Sequence, residues 1–251
     1  MKEKYIVYKN LGETPLEALE RLRESEKIPA DVSMTYAGRL DPAAEGLLMI
    51  LTGEECKKKE QYSGLEKTYV AEILFGVATD SYDLLGIPSK DKRAKSKEQK
   101  GIQIQEIQNF LDEHIGVQLQ KYPPYSSKTV DGTQLHTHAR AGTDVKLPDH
   151  EVNLISYDDV SLEEVSREDL LMRVGEIVAS VKGDFRQAEI TRSWAELDLP
   201  EKLQLLLVTL RVGSGFYIRQ LAQDLGEELG TGACLYSLVR TEIGEDSKIV
   251  N

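Results

Sequence analysis

One aspartate in this chain stands where a covalent nucleophile could work. It lies within Tyr36-Ala37-Gly38-Arg39-Leu40-Asp41-Pro42-Ala43-Ala44-Glu45-Gly46-Leu47-Leu48. Pro42 has no backbone donor and pushes Asp41 out of the helical region, so the chain bends there. Gly38 and Gly46 permit backbone angles that other residues resist. The apolar run from Leu47 to Leu51 anchors the bend to a buried element. A carboxylate fixed at the lip of a core is what attack on a bound substrate requires. Spacing alone favours the plainer reading, a polar turn that enters a strand.

Two other clusters carry weaker signals. His136-Thr137-His138 has no acidic or cysteine set beside it, so a polar loop touching phosphate fits better than a metal site. The bend at Gly213-Ser214-Gly215 could cradle a phosphate but lacks the P-loop spacing.

The elements around these residues follow from local patterns. Residues 4–9 read as a short strand. A helix follows, with Thr14 as N-cap, Pro15 at its first position, Glu17 closing a capping box and a buried stripe of Leu16, Leu19 and Leu22. Leu47 to Leu51 form a buried strand. Lys67 to Ala78 form a longer one, with Tyr69, Ala71, Ile73, Phe75 and Val77 on one face. Residues 88–101 are polar and basic, a loop. After it comes a helix with Ile107, Phe110, Leu111 and Ile115 on one side and Gly116 as its stop. Residues 121–150 hold Pro123, Pro124, three of the four histidines and little periodicity, which marks an inserted arm. Ser166 and Asp169 cap a helix with the stripe Leu170, Val174, Ile177, Val178 and Val181. An apolar strand from Leu203 to Val212 turns at Gly213–Gly215 into a helix carrying Ile218, Leu221, Ala222, Leu225 and Leu229, and a final strand spans Leu235 to Val239. This mixture predicts an α+β fold around a mainly antiparallel sheet.

Composition narrows the function classes. With 251 residues, 40% hydrophobic and 29% charged, the chain can bury a substantial core. No N-terminal apolar stretch resembles a signal peptide, and no window reaches the length of a membrane span. Cys56 and Cys234 lie far apart without metal-ligand spacing, which points to free thiols in a cytoplasmic setting. A net charge of −12 argues against a generic polyanion binder and, alone, for a small-molecule enzyme. The cations are nevertheless clustered, at Lys57-Lys58-Lys59 and at Lys90, Lys92, Arg93, Lys95, Lys97 and Lys100, while the acids gather in 149–169 and 224–246. A basic face on an acidic body fits that distribution. The second cluster also reads as a solvated loop.

The Asp41 stretch resembles the catalytic motif of the pseudouridine synthases, a Gly-x-Leu-Asp core carrying a nucleophilic aspartate. Its continuation Pro42-x-x-x-Gly46-x-Leu48, closing at Thr52-Gly53-Glu54, is most similar to the TruB type, which acts on uridine 55 of tRNA. Four further blocks match in order. Lys67-Thr68-Tyr69 resembles the Lys-x-Tyr strand whose tyrosine stacks on a flipped uracil and is implicated in proton removal. Thr79-Asp80-Ser81-Tyr82-Asp83 resembles a Thr-Asp-Thr-x-Asp segment. Residues 122–142, with Lys128, resemble the arm that grips the tRNA T-arm. Gly215-Phe216-Tyr217-Ile218-Arg219, with Leu238-Val239-Arg240 after it, resembles the segment whose arginine pairs with the aspartate.

The resemblance implies a pseudouridine synthase fold in a single catalytic domain over residues 1–251, with an arm at about 121–150 and no C-terminal PUA-like RNA-binding module. It assigns Asp41, Tyr69 and Arg219 to catalysis, and Tyr36, Arg39, Lys67, Asp83, Lys128 and Leu238 to substrate binding. It implies no cofactor or metal, RNA (the tRNA T-arm) as partner, no membrane, no obligate protein partner and a monomer. Three motif positions depart from the family. Tyr36-Ala37-Gly38 replaces His-Thr-Gly, residues 8–15 degrade an Asp-Lys-Pro-x-Gly-x-Thr-Ser segment, and Ser214 replaces a lysine. With the missing module, these departures keep two alternatives open: the same chemistry on another RNA, and an RNA-binding or RNA-folding protein without catalysis.

Overall fold

The N-terminal segment folds as its local signals read. In the computed structural model, which describes residues 2–89, 101–245 and 247, β1 (Lys4–Lys9) leads to α1 (Pro15–Ser25). The Glu17 N–H donates to Thr14 Oγ1 and the Thr14 N–H donates to the Glu17 carboxylate, a complete capping box. Leu19 and Leu22 are buried with Ala18, but Leu16 is 58% exposed. A series spaced i, i+3, i+6 drifts around a helix of about 3.6 residues per turn, so its first member leaves the face centred on the others.

β2 (Met34–Ala37) pairs with β3 (Glu45–Thr52), and the Asp41 bend is the connection between them. A short 3₁₀ turn (Gly53–Lys58) and α2 (Lys59–Ser63) lead into β4 (Lys67–Phe75). This strand ends three residues earlier than its pattern predicts, because Gly76 turns away at φ +92°. A small ribbon of β5 (Ala78–Thr79) and β6 (Pro88–Ser89) follows. The basic cluster from Lys90 to Lys100 lies outside the described residues.

α3 (Ile104–Glu113) buries Ile107, Phe110 and Leu111. Ile115 is 49% exposed, since the helix has ended before it, and Gly116 opens β7 (Gly116–Lys121) instead of stopping the helix. The arm holds a ribbon, β8 (Thr129–Val130) and β9 (Thr133–Gln134), and then α4 (Leu135–Ala141). His136 and His138 therefore stand on a short helix, not in a loop.

β10 (Asp149–Ser166) is the longest strand described. α5 (Arg167–Ser180), capped by Ser166, and α6 (Gln187–Ala195) follow it. β11 (Lys202–Val212), α7 (Ile218–Glu228) and β12 (Ala233–Ile243) complete the order. The strands β7 and β10 and the helix α6 add to the elements read from the sequence; in β7 the alternation is inverted, with Val117 and Leu119 exposed and Gln120 buried.

The main sheet runs β1-β3-β12-β4-β11-β10-β7, with β2 on β3. Its pairings are antiparallel except β12 against β3. The mixed sheet and its flanking helices are the α+β fold the sequence predicts. β4 lies at the centre and packs on both faces. Tyr69, Ala71, Ile73 and Phe75 meet the buried stripes of α3 and α7, while Leu74 meets α5 and α6. Two helical layers thus keep the centre of the sheet dry, and the Asp41 bend sits at the edge of the α7 layer.

Candidate active site

The bend that carries Asp41 is held from several directions. The Ala44 N–H donates to the Asp41 carbonyl at 3.0 Å, closing a turn over Pro42 and Ala43. The Gly12 N–H donates to the Pro42 carbonyl at 2.9 Å, tying the turn to the β1–α1 loop. Gly38 adopts φ +72° at the start of the bend. Gly46 has a steric reason as well. It lies opposite Arg240 where β3 and β12 pair, and a Cβ there would come within 2.3 Å of the Arg240 carbonyl oxygen.

Arg219 enters from the first turn of α7. It is 5% exposed, and its Nε donates to Asp41 Oδ2 at 2.8 Å. Nη1 donates to the Ser81 carbonyl at 2.8 Å and Nη2 to the Tyr125 carbonyl at 3.2 Å. Asp83 Oδ2 lies 3.6 Å from the same guanidinium. Burial pushes the Asp83 carboxyl up to about 6, with Arg219 and the Ser81 hydroxyl working against that rise. Arg219 itself is held above its usual value, because Asp41 and Asp83 outweigh the cost of burial. The Asp41 side chain remains 44% exposed. One oxygen is oriented, and the carboxylate still opens onto the cleft.

That cleft encloses about 820 Å³ and is lined by Asp41, Tyr69, Arg219, Tyr36, Arg39, Lys67, Asp83 and Leu238. The sequence spread these eight over two hundred residues, and the fold gathers them on one surface. Their settings differ. Tyr69 and Leu238 are buried members of the core at the cleft floor. Tyr36 is half-buried, with Lys59 Nζ 5.7 Å from its ring centroid. Arg39 is exposed at the rim. Asp83 sits behind Arg219, where Ser81 Oγ and the Leu85 N–H donate to its Oδ1. Lys67 is buried and donates to the Ser63 and Leu65 carbonyls at 2.6 and 2.5 Å. Burial, reinforced by nearby Arg240, pushes its amine down to about 8. Lys128 is not among the residues lining the cleft. It is exposed on the arm, 5.1 Å from the Tyr122 ring centroid.

Several residues were given no role from the sequence. Lys9 is fully buried and donates to the Asn10 and Glu13 carbonyls, and burial pushes it to about 8. Arg186, at φ +61°, pairs with Asp80 at 2.7 Å. Tyr125 also donates to Asp80, which fastens the arm to the cleft wall. Arg240 is fully buried under the bend. No local pattern marks Arg186, while Lys9 stands at the lysine of the degraded N-terminal segment. Arg240 stood in a matched block, but its contacts exist only in the folded sheet.

The local charge inverts the global one. Among the described residues, the lining includes the cations Arg39, Lys59, Lys67, Arg140, Arg186, Arg219 and Arg240 against the carboxylates Asp41, Glu60 and Asp83. An acidic protein thus presents a cationic cleft. The described residues contain no group of three or more His, Cys, Asp or Glu that could hold a metal ion, and no helix long and apolar enough to cross a membrane.

Residues 27–182 match the family described as TruB family pseudouridylate synthase (N terminal domain). Curated relatives carry the name tRNA pseudouridine synthase B. That of Chloroherpeton thalassium is 28% identical over 96% of this chain and 83% of its own length. That of Nostoc sp. is 31% identical over 93% of this chain and 64% of its own, and that of Thermus thermophilus 33% over 83% and 63%. This chain therefore spans a little under two thirds of the length of the last two. Among solved structures, a chain of a Cbf5–Nop10–Gar1 complex superposes with a TM-score of 0.55 at 16% identity, covering 97% of this chain and 50% of that one. A chain of an H/ACA ribonucleoprotein bound to a substrate RNA containing 2′-deoxyuridine gives 0.54 at 14% identity, covering 97% and 49%. These two likenesses show the fold. With the family match over most of its length, the chain belongs to the TruB family of pseudouridylate synthases.

Proposed function

We propose that this chain isomerises uridine to pseudouridine in tRNA, at T-loop position 55, with Asp41 as the nucleophile. The observation that carries the reading is the Asp41–Arg219 pair at 2.8 Å, with the carboxylate still open to a cationic cleft. The relatives' shared name supports tRNA as the substrate class.

A uracil in folded RNA must leave its stack, at a cost of a few kcal/mol. Stacking on an aromatic ring recovers about 1–3 kcal/mol. Tyr69, at the cleft floor beside Leu238, offers that surface. The Asp41 carboxylate then attacks C1′, and the N1–C1′ electron pair departs with the base. Arg219 holds the carboxylate in line for this attack, and pre-orientation of this kind removes much of a barrier. The base turns so that C5 faces C1′. A C5–C1′ bond forms as the carboxylate leaves with its electron pair. The proton on C5 is lost and N1 gains one, so the reaction has no net proton or redox change.

The test is to incubate purified protein with unmodified tRNA transcripts and map pseudouridine, then repeat with Asp41→Asn. Modification of the T-loop uridine that vanishes in the variant is the expected result. Modification confined to another RNA would move the same chemistry to that target. RNA binding without modification would reduce the chain to a binder.

A further inference from the structure

We infer that Arg240 is a positioning residue for this site: its guanidinium sets both the backbone that carries Asp41 and the direction of the Tyr69 hydroxyl. The inference rests on the function proposed above. Arg240 occupies a special place in the sheet. On one side it pairs in register with Tyr69 of β4, and on the other with Gly46 of β3. The strand that carries it therefore lies between the aromatic floor and the exit of the nucleophile bend.

The side chain is fully buried, and a buried cation is tolerated only when its donors are satisfied. Arg240 directs them at uncharged oxygens. Nη2 donates to the Gly38 carbonyl at 3.2 Å and Nη1 to the Arg39 carbonyl at 3.2 Å, both on the chain entering the bend. Nε donates to the Leu47 carbonyl at 2.6 Å, on the chain leaving it. One rigid planar group thus spans both arms of the loop and fixes their separation. Gly46 completes the arrangement, because any Cβ there would strike the Arg240 backbone.

The fourth contact reaches the phenol. Nη1 lies 3.5 Å from the Tyr69 hydroxyl oxygen. A guanidinium has donors and no acceptor, so the hydroxyl oxygen must accept in this contact. The hydroxyl proton is then turned away from Arg240. Tyr69 also lines the cleft, so this contact links the buried guanidinium to the cleft wall. In this arrangement the Tyr69 hydroxyl oxygen is tied to the same guanidinium that holds the bend, so the phenol and the Asp41 backbone are positioned together. A lysine cannot substitute, since a single ammonium cannot span the two arms and the phenol together.

The experiment compares wild type, Arg240→Lys, Tyr69→Phe and the double variant. Each is read by single-turnover pseudouridine formation, by RNA affinity and by amide hydrogen exchange over residues 38–47. A displacement of about 1 Å can cost about 100-fold in rate. Arg240→Lys should therefore slow the chemical step by about that factor with affinity nearly unchanged, and residues 38–47 should exchange faster. The double variant should be less impaired than the product of the two singles, because part of the effect acts through the hydroxyl.

A normal rate in Arg240→Lys, a loss confined to affinity, or fully multiplicative effects would overturn the inference. If Arg240→Lys fails to fold, Tyr69→Phe should still shift the Arg240 guanidinium resonances in an NMR spectrum, and no shift would overturn the contact. Unchanged exchange over 38–47 would overturn the backbone role even if wild type proved inactive. A wild type that modifies no RNA would instead defeat the proposed function, which is a separate outcome.

Discussion

The cleft and the long strand β10 both crowd like charges, and they handle the crowding in opposite ways. β10 exposes Asp149, Glu151, Asp158, Asp159, Glu163 and Glu164, whose charge water and salt can screen. In the cleft, Lys67, Arg219 and Arg240 are buried, so each must find an oxygen from the protein itself. The net charge of −12 counts mainly solvated carboxylates like those of β10. The sign a ligand meets is set by the cations that line the cleft, buried and exposed together. Composition alone pointed toward a small-molecule enzyme because it weighted both kinds of charge equally.

The largest difference between the two regions should appear when a buried charge loses its partner. Arg219→Gln leaves Asp83 buried beside only neutral donors, and breaking a buried pair costs about 3–5 kcal/mol. Urea denaturation should show a loss of that order, and Arg219→Gln combined with Asp83→Asn should recover part of it. A loss under about 1 kcal/mol, the range of surface pairs, would place the cleft with β10 energetically.

The next effect is a pH dependence centred on Asp83. Its folded value, about 6, lies above the ordinary carboxyl range. The folded state therefore binds this proton more tightly than the unfolded chain does. The stability that this group contributes is fully present below about pH 4 and is lost as pH rises through about 6. Read as wild type minus Asp83→Asn, stability should rise on acidification between those limits. Activity should fall over the same window, as Arg219 loses its second carboxylate. A flat difference curve would mean that Asp83 is effectively solvated, like the acids of β10.

The same contrast explains what could be read from the sequence. The capping box at Thr14, the alternation of β4 and the stripe of α7 are local patterns, and the fold keeps them. Asp41, Tyr69 and Arg219 stand in blocks that resemble a family, and the fold brings all three to one cleft. β10 was illegible because it sits near the sheet edge. Exposed acids interrupt its alternation, and register shifts occur at Leu154/Ser156 and Asp158/Ser161. The placement of Asp83 behind Arg219, and of Arg240 under the bend, depends on packing between elements more than a hundred residues apart. No local window contains that information. Lys128 marks the opposite limit: it lies in a matched block, yet its side chain stands on the outer arm.

The smallest effect should separate the regions by salt rather than by stability. Arg39 and Arg140 line the cleft, and neither has a carboxylate partner among the ion pairs of the described residues. If each meets a phosphate, replacing it by Gln should lower the salt dependence of RNA affinity by about 0.7–0.9 per side chain on logarithmic axes, with stability nearly unchanged. Glu163→Gln on β10 removes a charge of the other sign in an exposed strand. It should leave that slope alone and shift stability by less than about 0.5 kcal/mol. Filter-binding titrations from low to moderate salt would measure both. Equal slope changes from the two regions would show that RNA responds to total charge. Only a difference confined to the cleft variants fits a ligand that meets the cations lining the cleft.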